Sequence, residues 1–199
     1  FGFNAGSALA ADGLAIHALM TTNTAAASAM LSWMLIEKIV LGKPTIVGAC
    51  TGAVVGLVAI TPGAGFVSLW SSFIIGALVS PFCYFFISVI KHRLGLDDAL
   101  DAFGCHGVGG IFGGLMTGIF ADPAVGGRSG LLYGGVDLFL AQAESIVFTI
   151  LFAGILSFVI ITLIKWVMPI RVSQQEEAVG MDRIEHDETA YPTFMGLDS

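Results

Sequence analysis

The chain has 199 residues, 56% of them hydrophobic and 12% charged, with a formal net charge of −7 and a mean hydropathy of +0.89. A soluble domain of this size could hardly keep so much apolar surface from water, so the composition excludes a soluble globular class and points to an integral membrane protein built of helices. Seven of the fifteen carboxylates follow Arg171, so the acidity belongs mainly to a polar tail. The chain opens on Phe1-Gly2-Phe3, with no basic n-region and no cleavage site, and reads as an N-terminally truncated sequence without a signal peptide.

A membrane helix needs about 20 mostly apolar residues. Residues 1–11 read as the stub of an earlier helix, and five full spans follow at about 13–36, 45–60, 66–90, 99–120 and 137–167. Residues 1–172 then form the transmembrane domain and 173–199 the tail. Pro44, Pro62, Gly63, Pro123 and Pro169 punctuate the joins, as helix breakers should. The connections 37–44 and 61–65 are short, which makes their flanking helices antiparallel neighbours. Alternating spans gather Lys38, Lys43, Lys91, Arg93, Lys165, Arg171 and Arg183 on one side and leave Arg128 opposite. Because basic residues concentrate on the cytoplasmic side, the C-terminus is expected there. Gly48, Gly52 and Gly56 repeat at four-residue spacing on the second span, and Gly110, Gly114 and Gly118 on the fourth. Small residues so placed let helix backbones approach closely, which predicts tight packing without saying which bundle.

From Ala102 to Phe120 every residue other than His106 is uncharged. Ionisable groups at bilayer depth are costly and usually face a bundle interior or a water-filled path. Helical spacing places His106 with Gly109, Gly110, Gly113 and Thr117, on the close-packing face and away from lipid. The plain alternative is an imidazole satisfied by a backbone carbonyl. A neutral ring offers one donor and one acceptor nitrogen, able to bind a polar solute or relay a proton. His17 and His92 fall near span ends and His186 in the tail; no histidine pair has ligand spacing, so no metal or cofactor is expected. Cys50, Cys83 and Cys105 read as core thiols. Asp97, Asp98 and Asp101 open the fourth span, where capping carboxylates complement the helix dipole. Trp33, Trp70 and Trp166 fall near expected interfaces, where indoles anchor helices. A hydrolase triad of Ser7, His106 and Asp101 would be split across the membrane, which argues against it.

Three runs are more specific: Phe1-Gly-Phe-Asn-Ala-Gly-Ser7, Gly48-Ala-Cys-Thr-Gly-Ala53 and Asp97-Asp-Ala-Leu-Asp-Ala-Phe-Gly-Cys-His-Gly107. In order and spacing they resemble the ammonium transporter (Amt/Mep) family, and the likeness continues through Val179-Gly-Met-Asp182 and His186 to Ala190-Tyr191. The Asp97 to His106 wording and the tail look closer to the Amt branch than to the Rh branch. The resemblance implies the second inverted repeat plus the final helix of an eleven-helix fold that assembles as a homotrimer in the cell membrane. It implies ammonium or ammonia as substrate, His106 as the second of twin pore histidines, Phe3 as part of the outer gate and Ser7 as a hydroxyl of the outer recruitment site. Gly180, Asp182, His186 and Tyr191 would belong to a regulatory tail that meets PII-type proteins. The first pore histidine and the recruitment-site tryptophan belong to the half of the family pattern that precedes this sequence. An ammonium sensor on the same fold is the alternative. No nucleic-acid partner is implied.

Overall fold

The computed structural model describes residues 1–188, and Tyr191 lies outside the described residues. The described elements are helices, joined by one antiparallel bridge between Val67 and Ala121. Two compact units divide the chain, the first being Phe1–Thr149 and the second beginning at Ile150.

The first unit is built around α2 (Gly13–Val40). Asp12 starts it by accepting from the Ala15 amide at 3.0 Å. Its middle, Thr21 to Ala29, is almost all small or hydroxylated residues, and so α3 (Ile46–Ile60) and α4 (Leu69–Phe85) can approach its backbone. A methyl on Gly56 of α3 or Gly76 of α4 would run into the carbonyl oxygen of the same residue, Ala25. Gly52 likewise sits against Trp33 and the Met30 backbone. Hydroxyls of α2 finish the contacts: Thr21 donates to Ala64 O at 2.7 Å, and Ser32 to Ala77 O at 2.8 Å. The second bond has a clear origin in the sequence. Pro81 lies inside α4 and has no N–H to offer the carbonyl four residues back, which is Ala77, so Ser32 supplies the missing donor.

Beyond α4 a π-helical turn, Phe86–Ile90, leads into α5 (Lys91–Leu94), which ends on the left-handed Gly95 (φ 62°). A second π-helical turn, Phe103–Gly107, opens α6 (Val108–Phe120). After α6 come α7 (Pro123–Gly126), a 3-10 turn Leu131–Tyr133 and α8 (Val136–Val167). Asp122 caps α7 through the Ala124 amide and accepts the Tyr133 hydroxyl at 2.9 Å, a bond that holds this phenol above its ordinary range. The segments Leu69–Leu94, Phe103–Phe120 and Val136–Val167 are long and apolar enough to cross a bilayer. The apolar α3 has 15 residues, and α2 has 28 with a polar middle. No residue of α8 is buried within this chain.

In the second unit, α9 (Gln174–Val179) starts with a capping box between Ser173 and Glu176. The Ser173 amide and hydroxyl hold the Glu176 carboxyl below its usual range. Arg171 pairs with Glu177 at 2.8 Å. Gly180, at φ 100°, separates α9 from α10 (Met181–His186), which contains Asp182 in its first turn and His186 as its last residue.

Candidate functional site

Phe3 and Ser7 lie at the start of the first unit, on and just after α1 (Gly2–Gly6). One turn apart, they share a face, and the Ser7 hydroxyl donates to Phe3 O at 2.7 Å. Between them Asn4 donates from Nδ2 to Thr22 Oγ1 at 3.0 Å, tying α1 to α2. Phe3, Asn4 and Ser7 line one cavity of about 310 Å³ with Leu14, Pro62 and Phe66. Phe3 remains 77% exposed, so its ring stands at the mouth rather than in the core. Nearby, His17 Nε2 is 2.8 Å from Val67 O, which fastens α2 to the 61–67 turn.

His106 does not line that cavity. It sits in the π-helical turn before α6, where the Val108 amide reaches back five residues to Phe103 O. Such a turn holds one residue more than an α-helical turn, so side chains before it are offset by roughly 100° from an uninterrupted helix. His106 lies inside this turn and takes only part of that offset, so of the glycines expected on its face it falls with Gly110 rather than with Gly109. Cys105, not His106, occupies the buried position in line with Gly109; His106 is exposed and falls with Gly110, where an added methyl would meet nothing within 4 Å. Gly109, Gly113 and Thr117 pack toward α3 as a separate face. Among the described residues no hydrogen bond reaches the His106 ring, whereas His17 and His92 each have a backbone carbonyl in reach.

The three aspartates before this turn do different things. Asp98 accepts from the amides of Ala102, Phe103 and Gly104 at 2.8, 3.0 and 3.2 Å, gathering the first free N–H groups of the helix. Asp101 adopts a left-handed backbone (φ 54°) and takes the Lys91 ammonium at 2.6 Å. Asp97 lies in the exposed connection after α5.

Several other readings change. Trp33 is 4% exposed, donates to Glu37 at 3.3 Å and meets Tyr84 edge-on, so it is a core residue and not an interfacial anchor. Cys50 is exposed, while Cys83 and Cys105 are buried. The residue missed by sequence reasoning is Glu37. Its buried carboxylate accepts from the Thr45 amide at 2.6 Å, from the Thr45 hydroxyl and from Trp33, and it sits over the first turn of α3. A methyl at Gly48 would occupy the same space as that carboxylate. Among the described residues, no group of three His, Cys, Asp or Glu side chains converges as a metal site.

Glycine-packed helices with apolar outer faces define an all-helical, multi-pass membrane protein. Residues 1–191 match the model of the Ammonium Transporter Family, and the chain belongs to that family. An ammonium transporter of Aquifex aeolicus is 51% identical over 191 residues, covering 96% of this chain and 45% of the relative. One of Bacillus subtilis is 47% identical over 197 residues, covering 98% and 49%. The solved structure of a sensor Amt protein superposes with a TM-score of 0.82 at 27% identity, covering 93% of this chain and 45% of that one. The chain thus spans about half the length of the relatives it matches.

Proposed function

We propose that this chain is the second half of a transporter that carries ammonium or ammonia across the cell membrane through a hydrophobic pore. The observation that carries the reading is His106: an exposed imidazole without a hydrogen-bond partner among the described residues, on the open side of a glycine-rich apolar helix, within the family's Asp97 to Gly107 run. A bare cation crosses apolar surroundings at great cost, so the substrate is better moved as neutral ammonia with its proton handed on separately. A histidine in the path can accept and release that proton. Phe3 and Ser7 suit the outer step, since a ring face favours a cation and a hydroxyl can accept its hydrogen bond. The upstream half of the protein would supply the opposing wall, as inverted repeats place the site between them.

The same reading puts the C-terminus in the cytoplasm, assembles the protein as a homotrimer, and assigns Gly180, Asp182, His186 and Tyr191 to a tail that contacts a PII-type regulator. Support comes from the basic residues that alternating spans gather on one side and from the two short helices of the tail, the first of them closed by a capping box. In reconstituted full-length protein, His106→Ala abolishes the ammonium-elicited current while the protein stays folded; an unchanged current sinks the proposal. A second reading, an ammonium sensor on the same fold, is favoured by the close superposition on the sensor Amt protein. Methylammonium uptake into liposomes separates the two, because a pure sensor binds without flux.

A further inference from the structure

The π-helical turn that turns His106 to the open side of α6 is held from outside its own helix. Its start is fixed by Lys91, whose ammonium donates to Asp98 O at 3.0 Å and pairs with Asp101 at 2.6 Å. Those two aspartates in turn accept the first amides of the turn: Asp98 through its carboxylate and Asp101 through its carbonyl, which takes the Cys105 amide at 2.8 Å. Lys91 is itself placed by the other π-helical turn, since its amide reaches back five residues to Phe86 O. The two turns touch directly: the rings of Phe86 and Phe103 lie 5.5 Å apart, and Gly104 is so close to Ile87 that no Cβ would fit. Lys91 and Asp101 are one-sixth and one-third exposed, so their pair is partly shielded from water and less screened than a surface pair.

We propose that Lys91, through Asp98 and Asp101, is a positioning residue for His106, fixing the start of the π-helical turn and with it the direction of the imidazole. The inference rests on the transport reading for its consequence, not for its geometry. Without the ammonium, the chain from Asp98 to Asp101 loses the contact that holds Asp101 in its left-handed conformation, and the turn is free to relax to α-helical register. That relaxation would rotate His106 toward the packed face now taken by Cys105.

The test uses full-length protein with ¹⁵N-labelled histidine in liposomes, the ring signals of His106 being identified by their loss in His106→Ala. Lys91→Met and Asp101→Asn remove opposite charges, and asparagine keeps the left-handed preference, so the second variant is the gentler one. Both are expected to move the His106 ring signals in the same sense and to lower ammonium flux by about tenfold or more, as small misplacements of a reacting group do. Lys91→Arg is expected to restore both. Unmoved ring signals overturn the proposal even where flux falls, and shifts of opposite sign overturn it too, because they report the changed charge and not a rotation. Should wild-type protein carry no ammonium, the transport reading fails while the ring signals still decide the positioning.

Discussion

Helices α3 and α6 carry glycines at the same four-residue spacing and use them differently. On α3 the whole stripe of Gly48, Gly52 and Gly56 faces α2, each glycine meeting a neighbour too close for a methyl. On α6 the stripe splits: Gly114 meets Ile146 and Gly118 meets Phe139, both of α8; Gly113, one residue off the stripe, meets Ala59 of α3; Gly110 meets nothing. A stripe of small residues therefore permits close approach without prescribing a partner. What decides is the helix's neighbours. The glycine stripe of α3 meets one long helix, whereas α6 is shared among α3, α4 and α8 and has open space at Gly110, beside the exposed His106.

The largest effects should come from filling the two closed contacts. Gly56→Ala drives a methyl into the Ala25 carbonyl and Gly113→Ala into the Ala59 carbonyl, both backbone atoms that cannot rotate away. Alanine gains up to about 1 kcal/mol in helix propensity. Overpacking against a rigid neighbour costs about 1–3 kcal/mol, so each substitution should destabilise on balance. Thermal unfolding of the full-length protein in detergent measures it, and an unchanged midpoint for Gly56→Ala would break the contrast between the helices.

A smaller effect sharpens the comparison at the helix starts. The first turn of α3 is secured twice, by Thr45 accepting from the Gly48 amide and by Glu37 accepting from Thr45. The turn before α6 depends on Asp98 for three amides. Asp98→Ala should cost about 1 kcal/mol, in the range of a lost N-cap, whereas Thr45→Ala should cost less than that because Glu37 still receives the Thr45-position amide. Equal losses in the same unfolding assay would mean that the second layer at α3 contributes nothing.

These distinctions were unevenly legible in the sequence. Apolar run length marks membrane helices in a sequence because a bilayer imposes length and hydropathy together, and three motifs carry the likeness to the family to which the chain belongs. The direction of His106 was not legible. A hydrophobic pattern assumes a constant 3.6-residue turn, whereas Phe103–Gly107 is a π-helical turn that lies against Phe86 and Ile87 of the preceding helix, with Lys91 on the aspartate before it. Glu37 was lost to a boundary. Ending the first span near residue 36 turns it into a loop carboxylate, but α2 continues to Val40 and carries it into the packed interior. Like His106, Glu37 is an ionisable group in a membrane helix, and one further turn of α2 beyond residue 36 brings it inside the span. Trp33 misled in the opposite way: an indole near a span end suits a membrane interface, yet its partners Glu37 and Tyr84 hold it inside.

The smallest stability change is expected where the comparison is most informative, at Gly110. A methyl there has open space within this chain, so Gly110→Ala should leave the unfolding midpoint unchanged or raise it by up to about 1 kcal/mol of helix propensity. Transport should respond differently. Gly110 lies one turn from His106 on the same open side, and under the pore reading a methyl at that point narrows the path and lowers ammonium flux severalfold in protein of undiminished stability. Stability and flux measured on one reconstituted preparation separate the cases. A fall in flux alone marks this side as the conduit, whereas a fall in both shows that the upstream half packs against Gly110 as tightly as α2 packs against Gly56, and the two glycine stripes would then serve one purpose after all.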